Sequence, residues 1–131
     1  MNKLKIKKME RFDPVIYPQK LWVGVENDFR KLNGLFACVD DDSDVDFGRF
    51  ENIRAVALNV REKKTGEYCV VIVFSPRHLD CKTIAHEASH AAGYMFRHIG
   101  AVMDCGEPTA YLIGWIADCC WKLKTNIKKN G

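Results

Sequence analysis

The sequence contains no Cys-x-x-Cys pair among its six cysteines, and this absence excludes a zinc ribbon and a thioredoxin-like redox motif. No stretch approaches about eighteen unbroken apolar residues, and the first residues lack the apolar segment of a signal peptide. We therefore expect no membrane span, a cytoplasmic location and cysteines that are mostly reduced core thiols. Since no repeat or low-complexity segment marks a boundary, residues 1–131 are expected to form a single domain.

Charge is spread unevenly along the chain, whose formal net charge is +3. Basic residues are concentrated at about 1–11 and 125–131, which we expect to be flexible ends, and the middle carries an acidic run over 40–46. Such asymmetry can mark nucleic-acid contact, but no basic patch interleaved with aromatic residues accompanies it. A nucleic-acid partner is therefore not expected.

The acidic run has the spacing of a calcium-binding loop at several positions. Asp40, Asp42, Asp44 and Glu51 fall at loop positions 1, 3, 5 and 12 of an EF-hand. The sixth position requires glycine for a sharp turn, and this chain has Val45 there. We therefore interpret the run as a solvated loop.

Two stretches rich in β-formers predict a hairpin in the middle of the chain. They cover residues 55–60 and 68–74 and are separated by a polar segment that contains Gly66. An earlier strand is expected over 14–18 and 21–25, interrupted by proline. Between them, apolar residues at steps of three and four predict a short helix that begins near residue 27.

The second half of the chain predicts two helices. Asp80 is suited to cap the first, which is expected to run to about Arg97. Pro108 is suited to the first turn of the second, which is expected to reach about Lys124. The fold class that follows is α+β, with a small, mostly antiparallel sheet packed on both helices.

The first of these helices carries the motif His-Glu-x-x-His, formed by His86, Glu87 and His90. Histidines four residues apart lie on one face of a helix, one turn apart, so both rings can reach the same metal ion. A neighbouring glutamate can then accept a proton from a water that the metal has made acidic. This is the chemistry of peptide-bond hydrolysis. The alternative is that all three are polar residues on an amphipathic helix without a shared ligand.

A catalytic zinc ion usually has three protein ligands, so a third donor is needed. Glu107, at the start of the second helix, is the preferred candidate, because a short connection can return the chain antiparallel to the first helix. His98, Asp104 and Cys105 are alternatives. His98 lies eight residues beyond His90, more than two turns along the same helix.

Both residues proposed on the second helix also have a structural interpretation. Glu107 can be a first-turn carboxylate that the helix dipole stabilises. Tyr111, one turn later, can donate a hydrogen bond to an oxyanion as a catalytic residue, or it can belong to the core.

With its His-Glu-x-x-His motif and the downstream Glu107, the chain resembles the gluzincin class of zinc metallopeptidases, in particular their minimal single-domain members. The segment Glu-Pro-Thr-Ala-Tyr-Leu-Ile-Gly-Trp is similar to one in small zincin-like proteins of phages and prophages. The resemblance implies a minimal zincin-like fold in which His86, His90 and Glu107 bind Zn²⁺ and Glu87 is the general base. Larger gluzincins often have aspartate where this chain has Tyr111.

These observations predict a zinc metallopeptidase that acts on an extended segment of a peptide or protein substrate. By the same resemblance, residues 55–60 would form the exposed strand to which the substrate backbone is added. The alternative is a non-catalytic zincin-like domain of phage or prophage origin that binds a metal or a protein.

Overall fold

The computed structural model describes residues 9–50 and 52–130, and within them the chain forms a small α+β fold. Its mixed sheet has five strands, which are β1 (Met9–Phe12), β2 (Lys20–Val25), β3 (Phe36–Cys38), β4 (Ala55–Glu62) and β5 (Tyr68–Phe74). Two helices follow the sheet, α1 (Cys81–His98) and α2 (Glu107–Asn130).

The strand order is β1-β2-β5-β4-β3, so the strongly apolar β5 lies in the centre of the sheet. β5 pairs in parallel with β2 and antiparallel with β4, and the two outer pairs, β1 with β2 and β3 with β4, are also antiparallel. Residues 70–74 are completely inaccessible to solvent. A strand that is buried on both faces requires an unbroken apolar run, and β5 supplies one.

Each face of the sheet has its own apolar cluster. On one face α1 packs on β4 and β5, α2 packs on β2 and β1, and the two helices pack on each other. On the other face, the 3-10 turns Phe29–Leu32 and Phe47–Phe50 cover a cluster centred on the fully buried Phe47. The candidate motif lies on the helical face, because α1 carries it.

The prediction of a mostly antiparallel sheet with two following helices is confirmed at this level. The hairpin is present as β4 and β5, and α1 and α2 begin and end within a few residues of their expected limits, except that α2 continues to Asn130. The basic end 125–131 is therefore helical as far as it is described, and β1 occupies residues expected to be flexible. The remainder of the other basic end, residues 1–8, lies outside the described residues, as does Glu51 of the calcium-like spacing.

Two local predictions were wrong. Residues 14–18 contain no strand and residues 15–19 form bends, with a positive φ of 69° at Val15. The expected helix after residue 27 is a single 3-10 turn capped by Asp28, because the chain reverses at Gly34 with φ of 94° and enters β3 at Phe36. The left-handed conformation at Gly34 is one that glycine adopts without strain, so the apolar spacing does not extend into a helix.

In the part of the chain that the structure describes, neither helix combines the length and the apolar character needed to cross a bilayer.

Candidate metal centre

The first turn of α1 is fixed by the residue that precedes it. The Asp80 carboxylate accepts a hydrogen bond of 2.9 Å from the backbone N–H of Thr83. This bond lowers the pKa of Asp80, and the positive charges of His78 and Lys124 add to the effect. Since Lys124 lies near the far end of α2, its proximity to Asp80 shows that the two helices run antiparallel.

The motif residues lie side by side near the middle of α1. The ring centroids of His86 and His90 are 4.9 Å apart, with their planes inclined at 73°. Both histidines are exposed, whereas Glu87 retains only 7% of its accessible surface. Burial raises the pKa of Glu87 above its usual value of 4.5, and the two histidines oppose this shift. The site thus combines two adjacent accessible imidazoles with a carboxyl group that is partly withdrawn from water.

A cleft of about 360 Å³ opens beside these residues, between α1 and the start of β4. His86 and Glu87 line it together with Thr83 and Lys82 from the preceding turn of α1 and Arg54 from the approach to β4. Lys82 could have been predicted to lie there, because residues four apart share a helix face. No local signal predicts Arg54 at this site, since its position depends on how α1 packs on the sheet.

The outer edge of β4 next to the cleft has no partner strand. β3 pairs only with residues 60–62, and within residues 9–50 and 52–130 no other strand lies against the first part of β4 on that side. The backbone of Arg54 bonds to Ser75 and that of Glu62 to Glu67, both toward β5, whereas Lys63 bonds toward Leu35 and β3.

Because these directions alternate along an antiparallel strand, the backbone N–H and C=O groups of Ala55, Ala57 and Asn59 point to the open edge. Ala55 also lines the cleft that contains Glu87. An extended peptide added to this edge would therefore pass beside the motif residues.

The structure does not bring Glu107 and Tyr111 to the histidines. Both line a different cavity, which shares no lining residue with the cleft of His86 and Glu87. Tyr111 is 74% exposed and is not part of the core. The reason is helical geometry: α1 continues for eight residues beyond His90, a rise of about 12 Å, before the chain returns. The start of α2 is consequently level with the end of α1 and not with its motif.

The other candidate donors lie on or near the connection between the helices. A Cβ placed on Gly93 would be 3.5 Å from the sulfur of Met103, so the Met103 side chain reaches α1 less than one turn beyond His90. Asp104 is engaged locally, since its carboxylate accepts from the N–H of Gly106 at 2.8 Å. Cys105, which follows it, is exposed and has a free thiol.

His98 points elsewhere. Its ring lies 5.5 Å from that of Tyr68, at the beginning of β5. His98 therefore stays more than two helical turns away from His90, and the two histidines do not share a site.

Three of the six cysteines are core residues, fewer than the expected majority, because Cys81 and Cys105 are exposed and Cys38 is half-buried. Cys69, Cys119 and Cys120 are buried, and burial raises the pKa of each thiol to about 12. Protonated, inaccessible thiols of this kind are poor nucleophiles and poor metal ligands.

The residues around the motif supply only part of the ligand set that a divalent cation requires. His86 and His90 supply two neighbouring nitrogen donors, which suit Zn²⁺. In the described residues, however, no three side chains of histidine, cysteine, aspartate or glutamate are grouped so that they would hold an ion. The two-histidine half of the predicted centre is therefore assembled, and the third donor is not.

Comparison with protein-family models, with curated proteins and with solved structures finds no match for this chain.

Proposed function

We propose that the protein is a zinc-dependent metallopeptidase with a minimal zincin-like arrangement, in which His86 and His90 hold the ion and Glu87 is the general base. The observation that carries the proposal is the pair of adjacent imidazoles beside a buried carboxyl group, of which His86 and Glu87 line a cleft at the free edge of β4. Such an arrangement supports hydrolysis of an extended peptide more than any chemistry on a compact substrate.

The chain's own groups account for the steps expected of such an enzyme. The free N–H and C=O groups at Ala55, Ala57 and Asn59 would bind the substrate backbone as an added strand and hold it along α1. When bound, zinc supplies Lewis acidity that polarises a carbonyl group and acidifies water. Glu87 would accept the proton of the attacking water and deliver it to the leaving amine, a role suited to a carboxyl group whose pKa is raised by burial.

The third donor in this proposal comes from the exposed connection 99–106. The side chain of Met103 reaches α1 at Gly93, and Asp104 and Cys105 are the next residues along the connection. A thiolate or a carboxylate completes a zinc site with two histidines equally well in chemical terms. Glu107, the donor expected from the sequence, requires a larger rearrangement of the helix ends.

Metal content tests the site. Purified protein is reconstituted with zinc, dialysed and subjected to elemental analysis, in parallel with His86→Ala, Cys105→Ser, Asp104→Asn and Glu107→Gln variants. Near-stoichiometric zinc that is lost in His86→Ala supports the site, and the variant among the other three that also loses zinc identifies the third donor. Zinc that is retained in His86→Ala would refute the proposed centre.

Turnover tests the activity. Mass spectrometry of a mixture of unstructured peptides, incubated with the zinc-loaded protein, should detect cleavage products that a Glu87→Gln variant does not form. Loss of a general base typically costs about 10²-fold to 10⁴-fold in rate. The matched control is Glu67→Gln, which removes an exposed carboxylate far from the cleft and should leave the rate unchanged.

A second candidate function is a non-catalytic zincin-like domain that binds metal or protein. It is favoured by one observation, the absence of three converging donors among the described residues. In that case zinc is absent or bound without turnover, and Glu87→Gln has no activity to remove.

A further inference from the structure

A second cavity, of about 640 Å³, lies at the other end of the helical layer. It is a groove between the first two turns of α2 and the bend that precedes β2. Its volume falls within the range of about 300–1,000 Å³ that is typical of ligand sites. We call it the α2 groove; the residues that line it include Ile16, Tyr17, Glu107, Tyr111 and Trp115.

The bend that precedes β2 forms one wall of the α2 groove, and contacts with the rest of the fold hold this bend in place. The Asp13 carboxylate accepts a hydrogen bond of 2.8 Å from the N–H of Val15, whose positive φ is unusual for a β-branched residue. The ring of Tyr17 packs edge-on against Phe96 of α1, with centroids 5.7 Å apart. The wall is therefore anchored to the apolar core and is not a freely moving loop.

The chemistry of the lining selects a cation. Three aromatic rings, those of Tyr17, Tyr111 and Trp115, line the groove. Among the described residues that line it, Glu107 is the only one that carries a charge. Aromatic faces attract a positive charge through their quadrupole, and a nearby carboxylate adds a direct electrostatic attraction. The rest of the lining is apolar, so the charge should be carried on an apolar body.

The exposure of the rim indicates how the occupant enters. Ile16 is 80% exposed and Tyr111 is 74% exposed, so the groove is open along its length and would leave a small molecule largely in water. A side chain that projects from a longer polypeptide can instead cover both rim residues with its flanking apolar neighbours.

We propose that the α2 groove binds a lysine or arginine side chain of a partner polypeptide, flanked by apolar residues. The basic head lies among the aromatic rings beside Glu107, and the neighbouring aliphatic residues cover Ile16 and Tyr111. This binding site is separate from the cleft of Glu87 and does not depend on a metal or on peptidase activity.

The test is a titration of ¹⁵N-labelled protein, chelator-treated, with the peptide acetyl-Leu-Lys-Leu-amide, followed through the indole cross-peak of Trp115. The same titration with acetyl-Leu-Gln-Leu-amide removes the positive charge but keeps the apolar flanks. We expect saturable shifts at Trp115 with the lysine peptide and about tenfold weaker binding of the glutamine peptide. The variant Glu107→Gln should bind the lysine peptide about tenfold more weakly as well.

Two further variants separate the groove from a general surface effect. Tyr111→Ala removes an exposed ring of the groove and should weaken lysine-peptide binding, whereas Trp121→Ala removes a ring that is 53% exposed, further along α2, and should not. Equal binding of the two peptides, an unchanged affinity in Glu107→Gln, or shifts confined to the cleft of His86 would overturn the proposal.

The chain's own first residues are a rival occupant, since residues 3, 5, 7 and 8 are lysines. A chain that begins at Met9 should give the Trp115 cross-peak at its full-length position. If removal of residues 1–8 shifts that cross-peak, the segment occupies the groove and the proposal of a separate partner fails.

Discussion

Replacing Glu87 with glutamine should stabilise the metal-free protein at neutral pH, although the residue is central to the proposed activity. Glu87 is 7% exposed, and its burial raises the pKa of the carboxyl group above 4.5. In the pH range that begins near 4.5 the folded chain therefore binds more protons than the unfolded chain, so the free energy of unfolding falls as the pH rises through that range. Glutamine has a similar shape and does not ionise, so it avoids this loss.

The size of the expected stability gain follows from the charge that the Glu87→Gln substitution removes. Single stabilising substitutions commonly gain about 0.5–2 kcal/mol, and for a domain of this size about 1 kcal/mol corresponds to roughly 3–5 °C in Tm. Differential scanning calorimetry of chelator-treated protein at about pH 7 should detect that increase in Glu87→Gln. At about pH 4 the carboxyl group is largely protonated in both states, so the difference should largely disappear.

The control for this prediction is Glu67→Gln, because Glu67 is exposed and pairs with Arg11 at 3.1 Å. Its Tm should stay the same or fall slightly, since exposed ion pairs contribute only about 0–1 kcal/mol. A lower Tm of Glu87→Gln at pH 7, or an equal gain at both pH values, would show that burial does not govern the ionisation of this carboxyl group.

Two further predictions concern α1 and the open edge of β4. Asp80→Ala removes the side-chain cap of α1 and should lower the free energy of unfolding by about 1 kcal/mol, measured by urea denaturation, with Asp41→Ala as the control in a loop. Ala57→Pro removes an N–H that points to the open edge, so the chain should stay folded by circular dichroism but bind a substrate peptide several-fold more weakly. Leu58→Pro instead removes a backbone hydrogen bond to β5 and should unfold the protein. Similar behaviour of the two proline variants would contradict the proposal that the N–H of Ala57 points to the open edge and that of Leu58 to β5.

The parts of the fold that were predictable are those specified by local signals. Asp80 as a cap and Pro108 in the first turn fix the starts of the helices, and the apolar run of β5 identifies a central strand. The parallel pairing of β2 with β5 had no such signal, because it joins residues about fifty positions apart and depends on how the intervening hairpin folds.

The 3-10 turn at Phe29–Leu32 illustrates a different failure. Its apolar spacing matches a helix, but the side chain of Asn33 accepts a hydrogen bond of 2.7 Å from the N–H of Phe47, and the chain turns at Gly34. A bond between residues fourteen positions apart depends on the tertiary fold and cannot be read from hydrophobic spacing alone.

The candidate site likewise has one part that local sequence predicts and one part that it does not. The relation between His86, Glu87 and His90 is set within one helix, so the motif alone predicts that the two rings meet. The position of Glu107 depends on the length of α1, which no residue of the motif specifies. The length of α1 therefore decides whether Glu107 can be the third donor.

Hydrogen exchange at the end of α1 therefore distinguishes the candidate third donors. If Glu107 joins the histidines when zinc binds, the final turns of α1 must unwind, because about 12 Å of helix separates His90 from the return of the chain. Amide hydrogen exchange at residues 94–98 should then become faster on addition of zinc. If Cys105 or Asp104 is the donor, the connection needs only to close over Gly93, and the same amides should be unchanged or better protected. We expect the second result, because unwinding would expose Met95 and Phe96, which are 1% and 4% accessible and belong to the core. Faster exchange at these residues, abolished by Glu107→Gln, would refute a donor in the connection.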